Sequence, residues 1–208
     1  VPEFTASAYF VFTFAFIIML GMSGIAMAQT IEDFESIKLN VMAEAPPDAS
    51  AMSVVANPQK TGINTSDYVC KFLRGKDGSL WSGFWSKLPV AIDVTDNHYV
   101  HAKVWKPRTS PLRFKLQDGP SGTKEFVNTG NTTINAWEDI VFNVTEFTGA
   151  YPVIAFMPDR PEALPVGLAD DIVIYFDDIY VNNDPAVGSA PVKVIEDFET
   201  IKLNVMAE

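Results

Sequence analysis

Two short stretches of the sequence alternate apolar residues with polar and aromatic ones. "YVHAKVW" spans residues 99–105, and "LRFKLQ" spans 112–117. Because successive side chains of a β-strand point to opposite faces of a sheet, the apolar residues of each stretch belong to the core. The short connection "KPRTSP" predicts that the two strands are neighbours. The opposite, exposed face would then carry Tyr99, His101, Lys103, Trp105, Arg113 and Lys115.

Such a face has the chemistry of a sugar-binding surface. Aromatic rings stack on the apolar C–H faces of pyranose rings, and polar or cationic side chains contact hydroxyl and carboxylate groups. Trp81 and Trp85 are further candidate ligand-binding residues, because their spacing of four in "SLWSGFWSKL" places them on one face of a strand. Trp137 is expected in the core or at its edge.

Catalytic constellations are missing from the sequence. A glycosidase needs two carboxyl groups that converge at about 5–10 Å, whereas the acidic pairs here are adjacent in sequence and would point to opposite faces. The pairs are Glu138-Asp139, Asp170-Asp171 and Asp177-Asp178. The sequence also lacks a Ser-His-Asp pattern, a phosphate-binding loop and a CxxC motif. We therefore expect a protein that is not an enzyme.

The net charge limits the possible binding partners, and the cysteine count limits the possible disulfides. The 208 residues carry 15 Lys and Arg against 26 Asp and Glu, a net charge of −11, which makes nucleic acid an unfavourable partner. Cys70 is the single cysteine, so no disulfide can form within the chain. Its position in the strand-like run "DYVCKFLRG" predicts a buried, unreactive thiol.

The remaining pattern is that of an all-β protein. Runs rich in Val, Ile, Phe, Tyr and Thr recur between clusters of Gly, Pro, Asn and Asp, and no long stretch after residue 29 keeps a helical apolar period. This predicts an antiparallel β-sandwich, most simply a jelly roll. The candidate strands are 31–34, 37–42, 52–56, 67–74, 81–86, 99–105, 111–117, 124–128, 137–143, 152–157 and 172–181.

The two ends of the sequence suggest a larger exported protein. Residues 8–28 are almost wholly apolar and end in Ala-Met-Ala, so 1–29 is predicted to be a signal peptide, with a membrane anchor as the alternative. "IEDFESIKLNVMAE" at 31–44 returns as "IEDFETIKLNVMAE" at 195–208, with Ser36 replaced by Thr200. We therefore predict one module at 30–184, a linker at 185–194 and the first strand of a second copy at 195–208.

Several motifs resemble those of the galactose-binding-like β-sandwich modules, which occur in tandem in exported multidomain proteins of Bacteroidota-type bacteria. The resemblance extends over residues 30–184 and rests on "IEDFES", "VVANPQKTGINTSDYVCKFLRG", "AWEDIVFNV" and "IYFDDIYV". It implies a secreted or cell-surface carbohydrate-binding module whose partners are a polysaccharide or oligosaccharide and a neighbouring tandem module or catalytic domain.

The resemblance also implies a structural calcium ion. The family holds this ion where the first and last strands meet the loop before an early strand. Carboxylate, amide and backbone oxygens suit Ca²⁺. The corresponding positions are Glu32 or Asp33, the loop with Asn57 and Asn64, and Asp177 or Asp178. Asp177 and Asp178 would otherwise cap strand hydrogen bonds and carry solvated charge.

Two functions remain open from the sequence. The first is a non-catalytic carbohydrate-binding module, and the second is a structural spacer or adhesion repeat that binds no sugar. An open, aromatic face at residues 99–105 would favour binding, whereas a loop over that face would favour a spacer.

Overall fold

The computed structural model describes residues 28–34, 52–163 and 167–188. These residues form two antiparallel sheets and confirm the prediction of an all-β sandwich of the jelly-roll type. In this described part of the chain, no helix is long and apolar enough to cross a membrane. The predicted strand 37–42, most of the predicted signal segment and the second copy of the repeat lie outside the described residues. The strands are β1 (Gln29–Glu32), β2 (Met52–Ala56), β3 (Tyr68–Arg74), β4 (Phe84–Asp93), β5 (Tyr99–Trp105), β6 (Leu112–Gly119), β7 (Gly122–Asn128), β8 (Trp137–Asn143), β9 (Ala150–Met157) and β10 (Ile172–Asn182).

The first sheet has the order β2-β3-β10-β5-β8, and β1 also pairs with β10. β10 is long enough for β3 to pair with its first half and for β1 to pair with its second half. A bulge interrupts the pairing of β10 with β5 after Asp177, and Asp178 has a positive φ of 43°. The bulge returns Ile179 to the core side after Phe176, which is also in the core.

The second sheet has the order β4-β9-β6-β7. Four phenylalanines stand in register across it, one from each strand: Phe84, Phe156, Phe114 and Phe126. Phe84 and Phe156 also pack on Phe176 of the first sheet, with ring centroids 5.5 and 5.4 Å away. Each fully buried ring stabilises the sandwich by about 1.5–3 kcal/mol, so this aromatic row joins the two sheets.

The alternation in β5 and β6 assigns the core residues correctly. Val100, Ala102 and Val104 of β5 are buried, and so are the three apolar residues Leu112, Phe114 and Leu116 of β6. The prediction that these strands are neighbours is wrong, because β5 lies in the first sheet and β6 in the second. Alternation shows which side of a strand faces the core, but both sheets of a sandwich have a core side. The segment 106–111 therefore crosses between the sheets, and the polar sides of β5 and β6 face away from each other.

Candidate functional site

The predicted binding face on β5 is largely covered. His101 is fully buried, with Nδ1 2.9 Å from Asp139 Oδ2 and Nε2 2.9 Å from the carbonyl oxygen of Asp184. Its ring stacks on Tyr180 at 4.6 Å. Lys103 is also buried and forms an ion pair with Asp178. The chain that follows β10 thus lies over this part of the first sheet.

A loop covers the other end of the same face. The segment between β2 and β3 extends to β8, where Trp137 Nε1 donates a hydrogen bond to the Gln59 carbonyl oxygen at 2.6 Å. Trp137 is buried, as expected. Trp105 is half-buried and packs edge-on against Tyr175 at 5.6 Å, and Tyr99 is also half-buried.

The predicted six-residue face does not exist as one exposed surface. Tyr99, His101, Lys103 and Trp105 lie on the first sheet, whereas Arg113 and Lys115 lie on the second. The placement of His101 and Lys103 in the open is wrong, because polar side chains that alternate with core residues can be buried when loops supply their hydrogen-bond partners. Arg113 and Lys115 belong instead to the outer face of the second sheet.

The outer face of the second sheet carries an open aromatic site. Trp85 of β4 is paired with Ala155 of β9, Ala155 with Lys115 of β6, and Lys115 with Glu125 of β7. The small Ala155 side chain leaves a depression between the indole and the ammonium group. A pocket of about 340 Å³ lies here, which is the size of small-molecule sites. Its lining residues are Trp81, Gly83, Phe84, Trp85, Lys115, Gln117, Ala155 and Met157.

Trp81 joins this pocket from outside the sheet. The predicted strand 81–86 begins at Phe84, so Trp81 lies in the preceding turn, where its backbone N–H donates to Ser79 Oγ at 3.1 Å. Lys115 Nζ lies 4.1 Å from the indole centroid, and Arg160 Cζ lies 4.4 Å from it. Cation–π attraction orients the ring. Trp81 nevertheless remains 42% exposed and Trp85 37%.

Gly83 allows the turn to pack directly on β9. A Cβ atom at this position would lie 2.1 Å from the Phe156 carbonyl oxygen, which is backbone and cannot move aside. Any other residue at position 83 would therefore displace the turn and Trp81 with it.

Glu125 orients the two cations of β6. It accepts hydrogen bonds from Arg113 Nη1 and, at 3.0 Å, from Lys115 Nζ. Partial burial raises the pKa of Glu125, but the hydrogen bonds from Arg113 and Lys115 outweigh it and bring the pKa below the usual value. An ionised, doubly paired carboxylate is unsuited to general-acid catalysis. The site therefore offers stacking surfaces and hydrogen-bond donors.

The residues of the predicted calcium site are partly brought together. Asn64 Nδ2 donates to Asp177 Oδ2 at 2.8 Å, and Asn57 Nδ2 lies 3.5 Å from Asn64 Oδ1. Glu32 is fully buried and accepts a hydrogen bond from the Phe34 N–H at 2.6 Å. Asp33 is half-buried, and Asp178 pairs with Lys103 instead.

The donor set fits a hard cation at Asp177. Burial, followed by the charge of Asp178, raises the pKa of Asp177 to about 7, and its buried Oδ1 has no hydrogen-bond partner in the described structure. Within the described ranges, no three His, Cys, Asp or Glu side chains are grouped to hold a metal. A calcium ion here would therefore depend on Glu32, Asp177, amide oxygens and backbone carbonyls.

Cys70 is buried, as predicted. Burial is the main cause that raises the pKa of its thiol, and the charges of Glu32 and Asp177 add to it. The thiol is therefore unreactive. Glu32 pairs with Ile179, two positions after Asp177 in β10, so the two carboxylates lie in the same region of the first sheet.

Sequence reasoning missed part of the pocket. Alternation places Gln117 on the outward side of β6 with Lys115, but it does not single Gln117 out as a ligand-binding residue. Ala155 and Met157 lie in a strand that is almost wholly apolar. Arg160, which contacts the Trp81 ring but does not line the pocket, lies in a loop. No sequence pattern indicates a binding role for these three residues.

No family model matches the sequence. No curated protein matches it significantly either. Among solved structures, a family 11 carbohydrate-binding module from Clostridium thermocellum, in complex with a β-1,3-1,4-mixed-linked tetrasaccharide, has a TM-score of 0.47 at 12% identity, covering 75% of this chain and 95% of that one.

TmCBM61 in complex with β-1,4-galactotriose has a TM-score of 0.41 at 15% identity, over 74% of this chain and 92% of that one. An exo-β-agarase has a TM-score of 0.48 at 10% identity, over 77% of this chain but 25% of the agarase. With such identities and TM-scores, these likenesses assign neither a ligand nor an activity to this chain.

Proposed function

We propose that this chain is a non-catalytic carbohydrate-binding module that binds a polysaccharide through the outer face of the second sheet. The observation that carries the proposal is the pair Trp81 and Trp85, which line one pocket and are 42% and 37% exposed. Large aromatic side chains on a soluble surface mark sites of interaction. Lys115 and Gln117 beside them provide hydrogen-bond donors for sugar hydroxyl groups.

The geometry suits stacking better than cleavage. Two indoles beside the small Ala155 offer apolar area to the C–H face of a sugar ring. Glu125 is paired with Arg113 and Lys115, which opposes its use as a proton donor. Binding is expected to be weak and to depend on the aromatic rings.

A spacer or adhesion repeat is the second candidate function. The observation that favours it is the covered face of the first sheet, where His101 and Lys103 are buried. A spacer needs no open aromatic pocket, so the two functions differ in what they predict for Trp81 and Trp85.

The sequence also supports a proposal about the setting of the module. The apolar segment at 8–28 supports a secreted or cell-surface location, and the repeated phrase at 195–208 supports a neighbouring tandem module. A catalytic domain in the same full-length protein would be held on the polysaccharide. Tandem copies would add avidity through effective concentration.

We further propose a structural Ca²⁺ held by Glu32, Asn57, Asn64 and Asp177. The buried Asp177 Oδ1 without a hydrogen-bond partner supports this proposal. The ion would supply charge compensation for buried carboxylates and has no role in sugar contact.

The test of binding is affinity gel electrophoresis of the full chain against a panel of plant, algal and host polysaccharides. Retardation by at least one polymer is expected, together with loss of retardation in Trp85→Ala. If no polymer retards the chain at millimolar sugar concentration, or if Trp85→Ala is retarded as strongly as the unmodified chain, binding at this face is wrong. Complete lack of retardation would favour the spacer.

A further inference from the structure

A buried group of cations lies behind the aromatic pocket. Asp159 is fully buried and accepts hydrogen bonds from Arg74 Nε at 3.1 Å and from Arg108 Nη2 at 2.6 Å. Lys106 Nζ, also buried, lies 3.9 Å from the same carboxylate. Burial raises the pKa of Asp159, but hydrogen bonds from Arg108 and Ser110, together with the charges of Lys106 and Arg108, bring it below its usual value. One carboxylate thus faces two guanidinium groups and the amino group of Lys106.

This group is connected directly to Trp81. Arg74 Nη1 donates to Ser82 Oγ at 2.7 Å, in the turn that carries Trp81. Arg160 follows Asp159 in the sequence and places its guanidinium carbon 4.4 Å from the Trp81 centroid. Arg74 Nη2 and Arg160 Nε are buried and have no hydrogen-bond partner in the described structure. Buried donors without partners are uncommon and indicate capacity for a further acceptor.

The local charge is opposite to that of the whole chain. Around the pocket and behind it are five cations, Arg74, Arg108, Arg113, Lys115 and Arg160. Lys106 is not counted with them, because burial lowers its pKa to about 7. The carboxylates paired with these cations are three, Asp159, Glu125 and Glu162. The excess is positive in a chain whose net charge is −11. A buried cation without a paired carboxylate destabilises a fold, so folding alone does not account for the positive excess.

We propose that the polysaccharide bound at the Trp81–Trp85 pocket is anionic, with carboxylate or sulfate groups that contact Arg160 and Lys115 beside the Trp81 ring. This inference rests on the proposed function, since it names the ligand class of the same site. The indoles bind the apolar face of the sugar, and the cations select its charge. In an otherwise acidic protein, the positive region also directs an anionic chain to this face and away from the rest of the surface.

The experiment compares each anionic polymer with its own neutral form. Polygalacturonate is paired with carboxyl-reduced polygalacturonate, and a sulfated galactan with the same galactan after desulfation. Binding of the full chain is measured by isothermal titration at about 0.01 M and about 0.15 M NaCl, between which the Debye length falls from about 30 Å to about 8 Å. We expect at least one anionic polymer to bind about five- to tenfold tighter than its neutral form, with the difference shrinking at the higher salt concentration.

Charge-removing variants test the named residues. Lys115→Gln and Arg160→Gln should each lower affinity for the anionic polymer about threefold more than they lower affinity for the neutral form, because both side chains also contact Trp81, which binds either form. Lys60→Gln removes an equal charge from the exposed pair with Asp67 and is the matched control. Arg160→Lys keeps the charge and serves if Arg160→Gln lowers the melting temperature.

The outcomes separate the two proposals. Equal, salt-independent binding of anionic and neutral polymers, abolished by Trp85→Ala, would overturn the anionic ligand and leave the carbohydrate-binding function standing. Loss of affinity in Lys60→Gln as large as in Lys115→Gln would also overturn it, because the effect would then be one of net charge. Failure of every polymer to bind would overturn both.

Discussion

Lys115 Nζ lies 4.1 Å from the centroid of the Trp81 ring, although Lys115 belongs to β6 and Trp81 to the turn before β4. The contact holds the indole against the outer face of the second sheet while 42% of the residue stays exposed. An exposed cation–π pair of this kind is worth about 0.5–1 kcal/mol. The ring is therefore positioned before any ligand arrives, which lowers the cost of ordering it on binding.

Trp85→Ala should reduce polysaccharide affinity and leave stability nearly unchanged. Loss of one large aromatic contact costs about 1–3 kcal/mol of binding, or about 5- to 150-fold in affinity. Trp85 is exposed on the outer face, so its removal creates no cavity. Affinity electrophoresis and a thermal melt measure the two effects.

Trp105→Ala is the matched control and should show the reverse. Trp105 packs edge-on against Tyr175 on the covered face of the first sheet, so truncation removes buried contacts and lowers the melting temperature. Its affinity for polysaccharide should stay within about twofold of the unmodified chain. An affinity loss in Trp105→Ala that exceeds the loss in Trp85→Ala would place the binding face on the first sheet.

Calcium should raise the melting temperature of the chain. At a free calcium concentration of about 100 times Kd, a bound ion adds about 2.7 kcal/mol to the free energy of unfolding. This corresponds to a rise in melting temperature of about 5–10 °C for a domain of this size. Asp177→Asn should abolish the difference between melts in calcium and in EDTA. Asp178→Asn should keep it, because Asp178 pairs with Lys103. Superimposed melts of the unmodified chain in calcium and in EDTA would disprove the ion.

Lys106 should make stability increase with pH above neutrality. Burial lowers the pKa of Lys106 from 10.5 to about 7 in the folded chain. Between these values the unfolded chain binds more protons than the folded chain, so the free energy of unfolding rises with pH, by at most about 1.4 kcal/mol for each unit. Below pH 7 Lys106 is protonated in both the folded and the unfolded chain, so the stability gained from its deprotonation is lost.

Urea unfolding at about pH 6.5 and about pH 9 measures the Lys106 effect. The stability of Lys106→Met relative to the unmodified chain should fall as the pH rises, because only the unmodified chain gains from deprotonation. Lys76→Met, at an exposed lysine, is the control and should show a constant difference. The same constant difference in Lys106→Met would contradict the lowered pKa.

The two copies of the repeated phrase should differ in their effect on stability. Phe34 is buried and packs edge-on against Phe176, with ring centroids 5.4 Å apart. Phe34→Ala should therefore lower the free energy of unfolding by about 3–5 kcal/mol. Phe198 holds the equivalent place in the second copy, outside the described residues. If that copy opens another module, Phe198→Ala should leave urea unfolding unchanged. Equal costs for both substitutions would show that the second copy packs in this sandwich.

Strand prediction succeeded where the residue pattern is local. β2, β5 and β8 begin and end where the sequence predicts, because alternation and turn residues act within a few positions. β4 was misplaced: it begins at Phe84 and runs on to Asp93. Gly83 lies at the end of the turn because a side chain there would clash with the backbone of Phe156. Phe156 is 73 positions away, so the residues next to Gly83 give no sign of this contact.

The residue pattern is enough to predict the β class, the core sides of β5 and β6 and the burial of Cys70. These properties depend on apolar periodicity, which each strand carries alone. Which outward side chains lie together depends on how the strands are arranged in the two sheets. Lys115 faces Trp81 and Trp85 rather than His101 and Trp105, because the crossing at 106–111 places β6 in the second sheet. The choice of sheet depends on contacts between strands distant in sequence, and alternation along one strand is the same in either sheet.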